Sequence, residues 1–367
     1  MGKPKSKSKT ALKKAKQKKQ STVNNYSLEE LLGKASDLLD ECQFELAEKF
    51  CQRALEMDCD HPLALEMCAN LVLERGEIEK AQQCLGRAIT VQPNSGFTKY
   101  LTAGQLFTGE TSRDLYCKAV ELMQEALSEP STSDNNNDKT SEIKHQMSTA
   151  YVALSELYMS DLCDVPEAQD QAEKYVSLSI ESDPSNAEAW QAQASFKLVL
   201  QQFDAAKESI NKSLDLWLPG HIAFTETGEG QETTLSYNSR LATVKLCLDL
   251  EMFDEATKVC DGLLEEDDEI VAPWYLLGWL NYLREDQDYW GNVRHYLSRA
   301  KQVHVMNPTD DEDMVKHIDE ILAEIGADEA GDDTAEDINL NEDDTEKAEK
   351  IASLLDQENQ ESEEMET

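Results

Sequence analysis

Small and apolar residues recur along this chain at helical spacing, and the spacing itself repeats. In the stretch Glu79–Pro93, Ala81, Leu85 and Ala88 lie three or four residues apart, so they share one face of a predicted helix. Pro93 cannot continue that helix. Residues of similar type recur 34 positions apart: Ala47 and Ala81, Ala54 and Ala88, Ala172 and Ala206, Val176 and Ile210, Ser179 and Ser213. The pattern predicts a series of short helices built on one repeating unit.

A period of 34 residues resembles that of tetratricopeptide repeats, and Trp274, Leu277 and Gly278 match their W-x-x-L-G opening. The chain is therefore predicted to be all-α, a tetratricopeptide-repeat superhelical solenoid of about seven helix pairs plus a C-terminal capping helix at Asp310–Gly326. The solenoid is predicted to span residues 27–327. Polar runs without an apolar period predict disordered loops near 128–142 and 219–236.

Charge is distributed unevenly along the chain. Residues 1–26 form a predicted basic disordered tail with nine lysines, and residues 328–367 form a predicted acidic disordered tail with 17 acids and two lysines. Of 74 acidic and 34 basic residues in all, 57 and 23 remain between the tails, a net charge of −34. A folded body of that sign repels nucleic acid and anionic membranes and attracts basic proteins. The alternative is that the charge serves solubility alone.

Catalytic motifs are absent from the sequence. It contains no nucleotide-binding loop, nucleophile elbow, HExxH motif or zinc-ligand spacing. We therefore expect no enzyme activity, no cofactor and no metal. Nine cysteines without CxxC spacing indicate reduced thiols of a cytosolic or nuclear protein, and no apolar run is long enough to cross a bilayer.

A repeat superhelix binds its partners on the concave face, which the first helix of each pair lines. Counting back from the small residues predicts that thirteen side chains face this concavity. They are Glu29, Asp40, Glu66, Asn70, Glu74, Tyr100, Tyr151, Glu188, Gln191, Asp249, Tyr275, Trp279 and Tyr282. Carboxylates interleaved with aromatic rings suit a basic extended peptide. The alternative is that the acids form a solvated face and the aromatic rings pack between repeats.

A second binding mode of this fold class is not supported by the sequence. Repeat proteins that hold the carboxylate tail of heat-shock chaperones use Lys, Asn and Arg on their first helices. The matching positions in this chain are Leu32, Ser36 and Met67. These residues cannot form such a clamp.

The later half of the chain resembles one family more closely. The segments that carry the resemblance are AWQAQASFKLVLQQFDAAKESINKSLDL (189–216), EMFDEATKVCDGLLEEDDEIVAPWYLLGWLNYL (251–283) and DEDMVKHIDEILAEIG (311–326). They are similar to the dedicated assembly chaperones of large-subunit ribosomal protein four. The resemblance covers about 27–327 in architecture and is most specific in 186–326. It implies a non-enzymatic chaperone that holds the client's basic internal loop and escorts it to the nucleus for assembly of the large ribosomal subunit.

Two other functions remain open at this stage: a general tetratricopeptide-repeat scaffold, and a chaperone for another basic protein such as a histone. The lysine-rich start predicts an importin contact, with Lys13, Lys14, Lys16, Lys18 and Lys19 as the nuclear-import candidates. We expect a monomer that shuttles between cytoplasm and nucleus and binds neither nucleic acid nor membrane directly.

Overall fold

The computed structural model describes residues 26–128, 136–227, 233, 235–284 and 289–326. Fifteen α-helices and no strand occur in these ranges. In chain order they are α1 Leu28–Asp40, α2 Phe44–Met57, α3 Pro62–Leu73, α4 Ile78–Val91, α5 Thr98–Leu106, α6 Gly109–Ser128, α7 Asn136–Met159, α8 Ala168–Ser182, α9 Ala187–Val199, α10 Phe203–Thr227, α11 Tyr237–Asp249, α12 Phe253–Glu266, α13 Val271–Leu283, α14 Trp290–Met306 and α15 Glu312–Ile325. They form the seven predicted pairs and one final helix, which confirms the all-α repeat fold.

The chain divides into two compact units, the first ending at Ala192 and the second beginning at Gln193. Most packing within each unit joins helices that are adjacent in the chain. The residues of the 34-residue period lie at these helix contacts. Those with 0–2% of their surface exposed are Ala47, Ala54, Ala81, Ala88, Ala172, Val176, Ser179, Ala206, Ile210 and Ser213. Small side chains recur there because a larger group would force the packed helices apart.

Local sequence sets the first helix boundaries. The Ser27 hydroxyl accepts a hydrogen bond from the backbone N–H of Glu30 at 3.3 Å, and the Glu30 carboxylate accepts one from the Ser27 N–H at 2.8 Å. This capping box satisfies two of the donors that a helix start leaves without partners. The residue before it also belongs to the fold. Tyr26 was predicted to lie in the basic tail, but its ring packs 6.2 Å from the ring of Phe50.

A close helix contact explains the glycine of the W-x-x-L-G segment. A Cβ built on Gly278 would lie 2.6 Å from Leu297 Cγ and closer still to Cδ2, so α13 and α14 approach each other more tightly here than any larger residue allows. Beyond this pair, α15 buries Ile318, Ile321 and Ile325, as predicted for a capping helix.

Both predicted loops are partly helical. Helix α7 already begins at Asn136, so residues 136–142 are helix, whereas 129–135 lie outside the described residues. From residue 138 to 142 the side chains are polar and none is buried, and Gln146 Nε2 donates to Glu142 Oε1 at 2.7 Å one turn away. Pairs at this spacing support a helix that buries little of its surface. The apolar period could not reveal such an extension, because the side chains from 138 to 142 bury no apolar face.

The second loop prediction is wrong for residues 219–227, which continue α10 to Thr227. Pro219 lies inside this helix and lacks the N–H that would bond to the preceding turn. Trp217, Leu218 and His221 are buried on either side of it. Their burial outweighs the local helix-breaking signal of Pro219. Of the predicted basic tail 1–26, residues 1–25 lie outside the described residues, as do the predicted acidic tail 328–367 and residues 228–232 and 234 of the second predicted loop.

Candidate functional site

A cleft in the second unit brings three of the predicted binding residues together. It encloses about 490 Å³ between α11, α13 and α15. The residues that line it are Lys245, Asp249, Tyr275, Leu276, Trp279, Asp311, Asp313, Met314 and His317. We call it the aromatic–acid cleft. Of its lining residues, Asp249, Tyr275 and Trp279 were predicted to bind a partner.

Stacked aromatic rings form one wall of the cleft. Tyr275 and Trp279 lie one helical turn apart on α13, with their ring centres 5.8 Å apart and their planes inclined by 25°. His317 of α15 meets the Trp279 ring nearly edge-on at 5.6 Å. Its Nδ1 lies 2.8 Å from the Tyr275 hydroxyl. These contacts fix the orientation of the rings before a partner arrives.

Burial, and then the negative charge of Asp311, raise the pKa of Tyr275 to about 12. The phenol therefore keeps its proton at neutral pH, and its hydroxyl can donate a hydrogen bond to His317 Nδ1. Tyr275 and Trp279 are thus uncharged, and the carboxylates of the cleft lie around them.

Carboxylates flank the rings on two sides. Asp249 ends α11, and Asp311 and Asp313 lie at the start of α15. Asp311 Oδ1 accepts a hydrogen bond from the Met314 N–H at 2.9 Å. Asp249 is exposed and forms no ion pair with any residue that the structure describes. Partial burial of its carboxylate raises its pKa, so the charged form is destabilised in the free protein.

The first unit also holds carboxylates on its first helices. Glu156 of α7 keeps exposed surface, yet burial and then the charge of Glu188 raise its pKa. Glu188 was predicted to bind a partner, whereas Glu156 was missed. Its only signal in the sequence is an acidic residue on a first helix, and the early start of α7 obscured the register there. The two acids form a like-charge pair that a cation would relieve.

Glu66 of α3 has a different environment. Burial raises its pKa, and the positive charge of Lys99 acts in the opposite direction. Lys99 has only 1% of its surface exposed, and its ammonium donates to the Ser95 carbonyl. Burial lowers the pKa of this lysine, and Glu66 opposes that effect. Part of the charge of Glu66 is therefore already offset within the fold.

Three predicted binding residues lie in the interior instead. Tyr100 and Tyr151 are each 5% exposed, and Gln191 is 7% exposed. The Tyr100 hydroxyl donates to the Pro93 carbonyl at 2.8 Å, and the Tyr151 hydroxyl accepts from Gln124 Nε2 at 3.1 Å. These side chains fill space between helices, so the predicted role in contacting a partner is wrong for them. A ring large enough to bind a partner is equally able to fill a helix contact.

The remaining predicted residues do not gather at one point. Glu29, Asp40, Asn70 and Glu74 are exposed on the first two pairs, and Tyr282 packs with the apolar cluster of the last pair. At the positions compared with the heat-shock clamp, Leu32 and Met67 are buried and Ser36 is exposed.

The described ranges lack two kinds of feature. No group of three or more His, Cys, Asp or Glu residues there is arranged to hold a metal ion. No helix within the same ranges is both long enough and apolar enough to cross a membrane.

Comparison with known proteins places the chain near one group of them. No protein-family model matches. A Schizosaccharomyces pombe protein described as a probable assembly chaperone of rpl4 is 29% identical over 277 residues, which cover 71% of this chain and 79% of that protein. An Emericella nidulans protein of the same description is 26% identical over 267 residues, 68% of this chain. The chain spans 63% of that relative's length.

A solved structure has the same fold. The assembly chaperone of RpL4 (Acl4), residues 1–338, superposes with a TM-score of 0.64 at 23% identity, covering 73% of this chain and 100% of that one. The resemblance to assembly chaperones of ribosomal protein four is therefore confirmed, and so is the helical-repeat architecture.

Proposed function

Starting from relatives described as assembly chaperones of rpl4, we propose that this chain is a non-enzymatic chaperone of large-subunit ribosomal protein four. It binds the newly made client stoichiometrically through the client's basic internal loop and delivers it for assembly of the large ribosomal subunit. The observation that carries the proposal is the aromatic–acid cleft, which combines fixed aromatic faces with carboxylates that form no ion pair with any described residue.

The energetics of the cleft favour a cationic partner. Partial burial destabilises the charged form of Asp249 in the free protein. A guanidinium or ammonium group placed beside it removes that penalty and adds a charge-assisted hydrogen bond worth about 1.5–3 kcal/mol. A cation over the face of an aromatic ring adds about 0.5–2 kcal/mol. A single basic side chain in the cleft thus accounts for a tenfold or larger gain in affinity.

The same forces explain capture and release. A body with a net charge of −34 draws a basic client in and shields it from RNA. Ribosomal RNA presents a denser array of negative charge and competes for the same basic loop. The chaperone therefore holds the loop until RNA replaces it.

Calorimetry with purified proteins tests the proposal. The full chain is titrated with ribosomal protein four and with a form that lacks its internal loop, at low and at high salt. We expect tight binding that weakens with salt and depends on the loop. Asp249→Lys should weaken binding by at least about tenfold. The matched control is Asp215→Lys, since Asp215 is exposed on α10 outside the cleft. If the two variants lose the same amount of binding affinity, the cleft is not part of the binding surface.

A second experiment identifies the client in cells. The chain is recovered from RNase-treated lysate and its partners are quantified. Enrichment of ribosomal protein four supports the proposal. Recovery of heat-shock chaperones, or of many unrelated proteins without that enrichment, points to a general scaffold. A histone that competes with the ribosomal protein for the cleft at equal affinity points to a broader chaperone of basic proteins.

We also propose that the chain shuttles between cytoplasm and nucleus as a monomer, with its lysine-rich start bound by an importin. The candidate residues are Lys13, Lys14, Lys16, Lys18 and Lys19. Replacing all five with alanine should shift a fluorescent fusion of the full chain toward the cytoplasm. If the nuclear fraction of the fusion is unchanged, these lysines have no role in import. Light scattering of the purified chain tests the monomer.

A further inference from the structure

The aromatic–acid cleft has the components of a site for one particular side chain. We infer that it is a subsite for a single arginine of the basic client, and that it prefers arginine to lysine. This inference rests on the proposed chaperone function and names one contact of that interaction.

The shape of the cleft favours a flat cation. The stacked rings of Tyr275 and Trp279 present a broad wall, and the His317 ring stands at 86° to the Trp279 ring. Leu276 and Met314 add apolar surface. A planar guanidinium can stack against an aromatic face while its edges remain free to donate hydrogen bonds, whereas an ammonium group is a compact and strongly hydrated charge. Tryptophan, here Trp279, is the ring type that binds cations most strongly.

The charged groups of the cleft suit a forked donor. Asp249 on α11 and Asp313 at the start of α15 both line the cleft, and so does Asp311, one of whose oxygens already accepts from Met314. The cleft thus contains three carboxylates and one ammonium group, that of Lys245. This lysine forms no ion pair with any described residue. A guanidinium carries five N–H donors in a fixed fork and can bridge carboxylates of two helices.

The second unit already uses this combination within its own fold. Three of its arginines each lie over an aromatic ring, 5.0–5.7 Å from the ring centre, and pair with a carboxylate at 2.5–3.7 Å. These groups are Arg240 with Tyr237 and Glu266, Arg284 with Tyr289 and Asp254, and Arg299 with Trp274 and Asp268. The cleft supplies the ring and the carboxylate, and the client's arginine completes the same arrangement.

Two lysines of the first unit lie over a ring without a carboxylate partner in the described part of the chain. Lys34 lies 5.2 Å from the Tyr26 ring centre and Lys174 lies 5.0 Å from that of Tyr175. Neither has a carboxylate within ion-pair distance among the residues that the structure describes. The three arginines of the second unit therefore show that a guanidinium fits between a ring and a carboxylate in this fold, which is why arginine is the expected occupant of the cleft.

The first test uses the smallest probe and the full chain. Acetyl-arginine amide, acetyl-lysine amide and acetyl-citrulline amide are titrated while the indole N–H signals are followed by NMR. The Trp279 signal is assigned by its loss in Trp279→Phe. We expect the arginine probe to shift this signal at concentrations about tenfold lower than the lysine probe, and neutral citrulline to have no effect. Equal responses to arginine and lysine would overturn the inference.

The second test separates the subsite from the proposed function. An internal-loop peptide of ribosomal protein four, and the same peptide with every arginine replaced by lysine, are titrated into the wild-type chain, Trp279→Leu, Asp249→Asn and the control Asp215→Asn. The lysine peptide should bind the wild type at least about tenfold more weakly, and this preference should shrink in the two cleft variants only. Circular dichroism confirms that each variant is folded.

The outcomes are distinguishable. If the loop peptide binds but the arginine preference is absent, or is unchanged in Trp279→Leu and Asp249→Asn, the subsite is refuted and the chaperone proposal stands. If no loop peptide binds while the arginine probe still shifts Trp279 selectively, the subsite stands and the proposed client is wrong.

Discussion

The contact between α13 and α14 offers a quantitative test of how tightly this fold is packed. Replacing Gly278 with alanine adds one methyl group at a helix interior, where alanine is normally favoured over glycine by about 1 kcal/mol. The structure predicts the opposite sign. The new Cβ would lie 2.6 Å from Leu297 Cγ and 3.4 Å from the Leu297 backbone nitrogen, and Leu297 has no exposed surface.

Relief of this clash requires movement of buried atoms. Leu297 must leave its rotamer, or α13 and α14 must separate, and such overpacking costs about 1–3 kcal/mol. After the gain in helix propensity is subtracted, Gly278→Ala should lower the free energy of unfolding by up to about 2 kcal/mol. The assay is urea unfolding followed by tryptophan fluorescence, to which Trp274, Trp279 and Trp290 contribute from the apolar cluster around Leu297.

A graded series of glycines supplies the controls. Gly86 lies inside α4 with no atom within 4 Å of its built Cβ, so Gly86→Ala should stabilise the fold by about 0.5–1 kcal/mol. Gly104 is intermediate, because its Cβ would lie 2.8 Å from the Tyr116 ring. In urea unfolding followed by far-UV circular dichroism, we expect Gly86→Ala to be the most stable variant, Gly104→Ala to be intermediate and Gly278→Ala to be the least stable. If Gly278→Ala proves as stable as Gly86→Ala, close approach is not the reason for glycine in the W-x-x-L-G segment.

Three further outcomes are expected. Because the fold raises the pKa of Glu156 above its ordinary 4.5, the folded chain binds more protons than the unfolded chain, and the carboxylate destabilises the fold above that raised pKa. Glu156→Gln should therefore raise the urea midpoint at neutral pH, and a gap that persists below pH 4.5 would refute this cause. Client binding at mildly acidic pH should release protons, since a cation lowers the raised pKa of Asp249; calorimetry in buffers of different ionisation enthalpy measures this release, and Asp249→Asn should reduce it. Ser27→Ala should cost about 1 kcal/mol in urea unfolding through loss of the capping box, whereas Ser36→Ala, on the exposed side of the same helix, should not destabilise.

The repeating framework could be predicted from sequence because its cause is local and periodic. Helix contacts of one geometry demand small residues at one spacing, so Ala47 and Ala81 reveal the register without any knowledge of the fold. The loop prediction at 219–227 was wrong because it also relied on a local signal. Pro219 is a strong local signal for a helix end, but buried Trp217 and His221 keep α10 continuous. A local rule cannot weigh burial that only the tertiary structure creates.

The candidate site could be predicted only in part. Tyr275 and Trp279 lie one turn apart on one helix, so their spacing alone indicates a shared face. His317, Asp311 and Asp313 were missed because their approach depends on how α15 packs against α13. The sequence also could not separate an aromatic ring that lines a cleft from one that fills a helix contact. Tyr275 and Tyr151 lie on first helices alike, yet only Tyr275 lines a cleft.

Within each compact unit, most packing joins helices that are adjacent in the chain, and this has a consequence for how the protein is made. Contacts between residues close in sequence require only short loops to close, so such folds form quickly and have low contact order. A helix pair can dock on its predecessor as soon as both have left the ribosome, without waiting for the end of the chain. Within each unit, synthesis and folding therefore proceed together. The aromatic–acid cleft, which needs α11, α13 and α15, is completed last.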